Sequence, residues 1–247
     1  MTVAVSIEDL SFGYKGRSGK NFNHLNLKIN EGDRFGIFGP NGAGKTTLMN
    51  LMTGLLDYEA GSIQLAGNEI KTHRKNIKKL FGLVPQDFSF YHELSPEENL
   101  EFFGAWSGID QRMLRQKIKS ILGMLGLQDF RNLPVKQFSG GMKRRVNLAI
   151  SVLHDPSILF LDEPTVGVDV QTRYAIIDYL KELNKKGTTL IYTSHQLNEA
   201  EDLCENIALI DEGRIIATNT LTELLKEHGQ DGLEGLFLTL TGKEYRD

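Results

Sequence analysis

The apolar run RFGIF (34–38) leads straight into GPNGAGKT (39–46), and the stretch that follows, KTTLMNLMTGLL, repeats its apolar positions with helical spacing. Few folds accept a glycine-x4-glycine-lysine-threonine loop between a buried strand and a helix. The small residues across Gly39, Pro40, Asn41, Gly42, Ala43 and Gly44 let main-chain N–H groups approach phosphate oxygens, and a helix starting there turns its positive end to the same anion. Lys45 is expected to reach the outer phosphates and Thr46 to ligate Mg²⁺. An incidental glycine-rich turn would need neither the strand before it nor the helix after it.

The remaining chain offers partners for that first strand. ILFL (158–161), TTLIYT (188–193) and NIALI (206–210) have the length and composition of buried strands, while GMKRRVNLAISVLH and TRYAIIDYLKELNKK are spaced as helices. This alternation predicts an α/β protein with a mainly parallel sheet. From about 87 to 137 the pattern turns helical with no clear strand, which predicts a helical insert in the core. The charge runs KTHRKNIKK and NKK are expected to be solvated faces.

Composition limits the setting. A chain of 247 residues with 40% hydrophobic content can bury a substantial core. Its net charge of −4 offers no broad attraction for nucleic acid, so none is expected as a partner. Cys204 stands alone and cannot form an internal disulfide, and MTVAVSIEDL lacks the pattern of a signal peptide. No apolar run is long enough to span a bilayer. A cytoplasmic chain that reaches a membrane only through a partner is the expectation.

A nucleotide site also needs metal support and a group that directs water. ILFLDEP supplies two acids at the end of a strand-like run: Asp162 for the Mg²⁺ shell, through water, and Glu163 to orient or deprotonate the attacking water. Adjacent residues on a strand point in opposite directions, so the two need not share one role.

The ordered set GPNGAGKTT, VPQ, FSGGM, ILFLDEP, GVD and TSH resembles the nucleotide-binding subunit of ATP-binding-cassette (ABC) transporters, from about residue 5 to residue 215. The resemblance implies a P-loop NTPase core with a mainly parallel sheet, preceded by an N-terminal antiparallel β portion. It also implies a single domain over 1–247, with a helical subdomain at about 87–155 and a short helical tail at about 219–247. ATP and Mg²⁺ are the implied ligands. Ser139, Gly140 and Gly141 would complete the ATP site of a second subunit, from a helix N-terminus. Met142 stands where glutamine is frequent, which a main-chain cradle tolerates. By the same resemblance Thr47 joins the nucleotide-binding residues of the loop, Tyr14 stacks on adenine, Gln86 senses Mg²⁺ or water, His195 contacts the γ-phosphate, and Asp169 lies on the loop that crosses to the partner. A core role for Tyr14 and an ordinary strand-end role for His195 are the alternatives.

Two segments bear on partners. Phe88, Phe90, Tyr91, Phe102, Phe103 and Trp106 crowd one stretch, where the resemblance places a groove for a membrane permease subunit; packing of a small helical core explains them equally well. The ending GLEGLFLTLTGKEYRD resembles the tails of ATPase subunits from bacterial drug-resistance-type exporters, and as a structure it reads as an amphipathic helix that caps the core. Lys143, Arg144 and Arg145 are expected on a solvated helix face. The function implied is an ATP-hydrolysing subunit that dimerises on ATP, with a second copy or a paralogue, and powers export at the cytoplasmic face of a membrane. An importer subunit, a soluble ABC-type ATPase of translation or DNA repair, and a small-molecule kinase are the other classes considered. The kinase would leave SGG and the histidine unused.

Overall fold

Four apolar runs become neighbouring strands because each divides its side chains between two cores. The computed structural model describes residues 2–16, 19, 21–197 and 202–242. RFGIF forms β3 (Arg34–Phe38), ILFL β7 (Ile158–Asp162), TTLIYT β8 (Thr189–Ser194) and NIALI β9 (Asn206–Asp211). With β6 (Phe81–Val84) they make a parallel array in the order β9-β3-β8-β7-β6, and β10 (Arg214–Thr220) pairs antiparallel with β9 at its edge. Phe35, Ile37, Ile158, Phe160, Ile191 and Ala208 join one core, shared with helix Lys45–Met52. Leu159, Leu161, Leu190, Tyr192, Ile207 and Leu209 join the other, against helices Gly140–Val152, Val170–Lys185 and Leu221–His228. Burial on both faces is why these strands read as unbroken apolar runs.

The first core is closed by a second, antiparallel sheet. Its order is β2-β1-β4-β5, from β1 (Val3–Phe12), β2 (Phe22–Asn30), β4 (Ala60–Leu65) and β5 (Asn68–Glu69). β6 was not legible in the sequence. It is four residues long and contains Gly82, where an added Cβ would lie 2.1 Å from the Ser151 carbonyl. The glycine that weakens the strand signal is what lets β6 lie against helix Gly140–Val152.

Between β6 and β7 no strand occurs among the described residues. The chain runs through helices Pro96–Trp106, Gln111–Met124 and Gly140–Val152. Ser95 and Glu98 form a capping box before the first, Asp110 caps the second and Ser139 the third. The six aromatics divide between the two readings. Phe90 is buried and Phe88 and Phe103 pack partly against the core, whereas Tyr91, Phe102 and Trp106 are 50%, 42% and 83% exposed.

At the C-terminus β10 continues through Thr220, so the helices begin slightly later than the expected 219: Leu221–His228 and then Leu233–Thr241. Leu233, Leu236 and Phe237 are buried, as a core-capping helix requires. Residues 243–247 of the expected tail lie outside the described residues. In KTHRKNIKK, Lys71, Arg74, Lys78 and Lys79 are exposed, as expected.

Candidate active site

Four of the five parallel strands, β3, β8, β7 and β6, deliver predicted site residues at or just beyond their C-terminal ends. The loop 39–44 follows β3, His195 follows β8, Asp162 ends β7 with Glu163 just after it, and Gln86 follows β6. Carboxyl ends of strands in such sheets are where ligands bind, because the loops there diverge around a crevice. A cleft of about 590 Å³ opens at this place. It is lined by Asn41, Gly42 and Gly44 to Thr47 of the loop, by Tyr14, Lys15 and Asn21, and by Gln86 and Glu163. Gly39, Pro40 and Ala43 support the loop from behind. Lys45 Nζ donates to the carbonyls of Gly39 at 2.7 Å and Pro40 at 3.2 Å, and the Ala43 carbonyl accepts from the Gly213 N–H at 3.0 Å.

The two acids differ in setting. Asp162 is buried; its Oδ1 accepts from Thr193 Oγ1 at 2.6 Å and from Thr46 Oγ1 at 3.3 Å. Burial raises its pKa, against those hydroxyl donors and the pull of Lys45. Burial in turn lowers the pKa of Lys45, against the attraction of Glu163 and Asp162. A hydroxyl and a carboxylate held together are hard oxygen donors that suit Mg²⁺. Among the described residues no cluster of three or more His, Cys, Asp and Glu side chains forms a self-sufficient metal centre. An ion at Thr46 and Asp162 would therefore complete its shell with water and phosphate oxygens.

Glu163 leaves the strand altogether. Its φ of 50° is left-handed, unusual for a residue with a Cβ, while its N–H still donates to the Thr193 carbonyl at 3.1 Å. This turn, rather than alternation along a strand, aims its carboxylate. Oε1 lies 3.0 Å from His195 Nδ1 and 4.0 Å from Lys45 Nζ, and Oε2 accepts from Gln86 Nε2 at 3.4 Å. Residues 86, 163 and 195 thus meet at one carboxylate beside the loop. Strain of about 1–3 kcal/mol at a single left-handed residue is tolerated where the surroundings fix it.

Tyr14 lines the cleft, with its hydroxyl 3.0 Å from Thr47 Oγ1 and its ring edge-on to Phe12 at 4.9 Å. Ser139, Gly140, Gly141 and Asp169 do not line it. Ser139 and Gly140 are exposed, and the Ser139 hydroxyl accepts from the Met142 N–H at 3.3 Å. Met142 packs partly against the core. Asp169 is an exposed helix cap that accepts from Thr172 N at 2.9 Å and Thr172 Oγ1 at 2.6 Å, and these bonds lower its pKa.

Three residues of the site were not read from the sequence. Thr193 fixes Asp162. Arg144, expected on a solvated face, is buried against the Gln86 loop; Arg145 is also partly buried and donates to the Leu125 carbonyl at 2.9 Å. A run of three cations does not reveal which of them points inward. Gly213, in the β9–β10 turn, has a φ of 74°, and an added Cβ would lie 1.6 Å from the Asn21 carbonyl. The turn therefore presses on the segment before β2 while it holds Ala43. Gly213→Ala is expected to cost roughly 2–4 kcal/mol, from backbone strain plus overpacking. Thermal unfolding read beside nucleotide affinity checks this, and an unchanged Tm would contradict it.

Residues 22–166 match the family model described as ABC transporter. The chain is 38% identical over 218 residues to the linearmycin resistance ATP-binding protein LnrL of Bacillus subtilis (strain 168), a match covering 88% of this chain and 70% of that protein. It is 37% identical over 211 residues to Nod factor export ATP-binding protein I of Ralstonia nicotianae, covering 85% of this chain and 66% of the other. A dimeric ATP-binding cassette solved in a post-hydrolysis state with ADP and Pi superposes with a TM-score of 0.80 and 27% identity, over 88% of this chain and 98% of that one.

Proposed function

The chain belongs to the ABC transporter family, and from that premise we propose that it is the ATP-hydrolysing subunit of an export system, built as one cassette domain with a helical subdomain at about 87–155 and a helical tail at about 219–247. The observation that carries the reading is the Glu163 carboxylate, 3.0 Å from His195 and 4.0 Å from Lys45 at the edge of the phosphate loop. The relatives named for resistance and export favour export over import.

In the mechanism, loop N–H groups and Lys45 bind the phosphates, and Tyr14 offers its ring to the base. Thr46 and Asp162 would hold Mg²⁺ with Gln86 beside it; the ion, when bound, neutralises charge on the outer phosphates. Glu163 orients the attacking water and takes its proton, held in place by His195 and Gln86. Lys45 and His195 stabilise the charge that develops on the γ-phosphate.

Ser139, Gly140 and Gly141 act in trans on the nucleotide of a second copy or paralogue, with Asp169 at the same interface. Support comes from the exposure of Ser139, Gly140 and Asp169 outside their own cleft, from a capped helix N-terminus that favours an anion, and from the dimeric neighbour. No helix among the described residues is long and apolar enough to cross a membrane. A permease subunit is the proposed membrane partner, met through the exposed Tyr91, Phe102 and Trp106, and the chain would sit on the cytoplasmic face.

Mixed dimers test this arrangement. A Lys45→Ala chain paired with a Ser139→Arg chain places both defects in one site and leaves the other intact; both changes in one chain, paired with wild type, damage each site once. Nucleotide occluded per tagged heterodimer is expected to be higher in the first pair. Losing one stabilising donor can cost roughly 10²–10³ in rate, so the contrast is measurable. Higher occlusion in the second pair would overturn the trans assignment.

A further inference from the structure

Three polar residues along helix Gly140–Val152 grip one short stretch of chain. Arg144 Nη1 donates to the carbonyls of Gln86 at 2.7 Å and Pro85 at 3.4 Å. Asn147 donates to the Pro85 carbonyl at 3.3 Å and accepts from the Ser89 N–H at 3.3 Å. Ser151 Oγ donates to the Leu83 carbonyl at 2.6 Å. Their spacing brings them to one helix face. The end of β6 and the loop carrying Gln86 are thereby fastened to this helix by side-chain hydrogen bonds.

Arg144 is the costly member of the three. It is 6% exposed, its guanidinium lies over the Phe88 ring at 5.0 Å, and its Nε is buried without a protein partner. Its contacts are carbonyls and a ring rather than a paired carboxylate; Asp87, Glu163 and Asp162 favour its charge from farther away, while burial works against it. A buried cation without a paired anion is less stabilising than a well-packed apolar side chain. Asn147 and Ser151 hold neighbouring carbonyls with neutral groups. Stability alone therefore gives no reason for an arginine at 144.

We propose that Arg144 is a positioning residue for hydrolysis: its grip on the Pro85 and Gln86 carbonyls sets where the Gln86 amide meets Glu163, so that the helix starting at Ser139 and the carboxylate of the same chain's own cleft move together. The proposal rests on the ATPase reading above. It gives that reading a physical link within one chain. Whatever docks on the exposed Ser139 end acts on a helix fastened to Gln86, and Gln86 touches the group that directs water.

Steady-state ATPase assays on the purified full chain with Mg²⁺ test it, comparing wild type, Arg144→Met, Arg144→Lys, Gln86→Ala and the double variant Arg144→Met/Gln86→Ala. Arg144→Met is expected to lower kcat roughly 10- to 100-fold, as small misplacements of catalytic groups do. KM for ATP should stay within about threefold of wild type, with Tm unchanged or raised. Lysine lacks the planar fork and should recover little of the rate. In the Gln86→Ala background Arg144→Met should add no further loss, because its whole effect passes through Gln86. Should Arg144→Met fail to fold, Arg144→Lys carries the same cycle. A wild-type kcat in the Arg144 variants, losses that multiply in the double variant, or a kcat that falls only in step with Tm would overturn the role. A wild-type chain that hydrolyses no ATP would instead remove the ATPase reading, and this role with it.

Discussion

Glu163→Gln is expected to lower ATP turnover by roughly 10²–10⁴, the usual contribution of a positioned general base, while ATP binding persists. Glutamine keeps the size of the side chain and still offers an oxygen to His195, which lies 3.0 Å from Oε1. It removes the negative charge and the basicity that accepts a proton from water. Removing that charge beside the loop also relieves repulsion of an anionic ligand, so the ATP-bound dimer should accumulate and appear as a larger species in size-exclusion chromatography with ATP. Phosphate release measured beside ATP binding separates the two effects. Turnover near the wild-type rate in Glu163→Gln would take the residue out of catalysis.

Lys45→Ala is expected to fail earlier, at binding. Its ammonium is buried and is held by the Gly39 and Pro40 carbonyls, 4.0 Å from Glu163. Truncating one partner of a buried, hydrogen-bonded charge pair costs about 2–5 kcal/mol, or roughly 30-fold to several thousand-fold in affinity. The loss here has two sources. The outer phosphates lose their cation, and the carboxylates of Glu163 and Asp162 lose the positive charge that offsets their own repulsion of the ligand. Isothermal titration with ATP should therefore show a large rise in Kd, with turnover lost as well, whereas Glu163→Gln keeps binding. Wild-type affinity in Lys45→Ala would contradict the placement of the phosphates against this loop.

How far the sequence could be read follows from the range over which each feature is determined. The strands β3, β7, β8 and β9 were legible because burial on both faces makes each an uninterrupted apolar run. The short β6 was not, since Gly82 answers a close approach by the Ser151 carbonyl that lies far along the chain. Helix Lys45–Met52 ends before the GLL that shares its apolar spacing, and Thr53 caps it. Spacing alone does not mark that boundary.

The site divides along the same line. GPNGAGKT carries its chemistry within one contiguous loop, so its glycines, Lys45 and Thr46 could be assigned from local order alone, and the sequence of motifs was enough to mark the family. The convergence of Gln86, His195 and Lys45 on Glu163 needed four strand ends brought side by side. Tertiary structure also decided which of Lys143, Arg144 and Arg145 turns inward, how six aromatics divide between core and surface, and that Thr193 and Gly213 hold Asp162 and the phosphate loop. The loop, the α/β alternation and the family were written in the order of residues along the chain, because these depend on neighbours in the chain. Only the packed molecule decided the carboxylate's partners and the fate of each buried charge, because those depend on groups distant in sequence that desolvate one another.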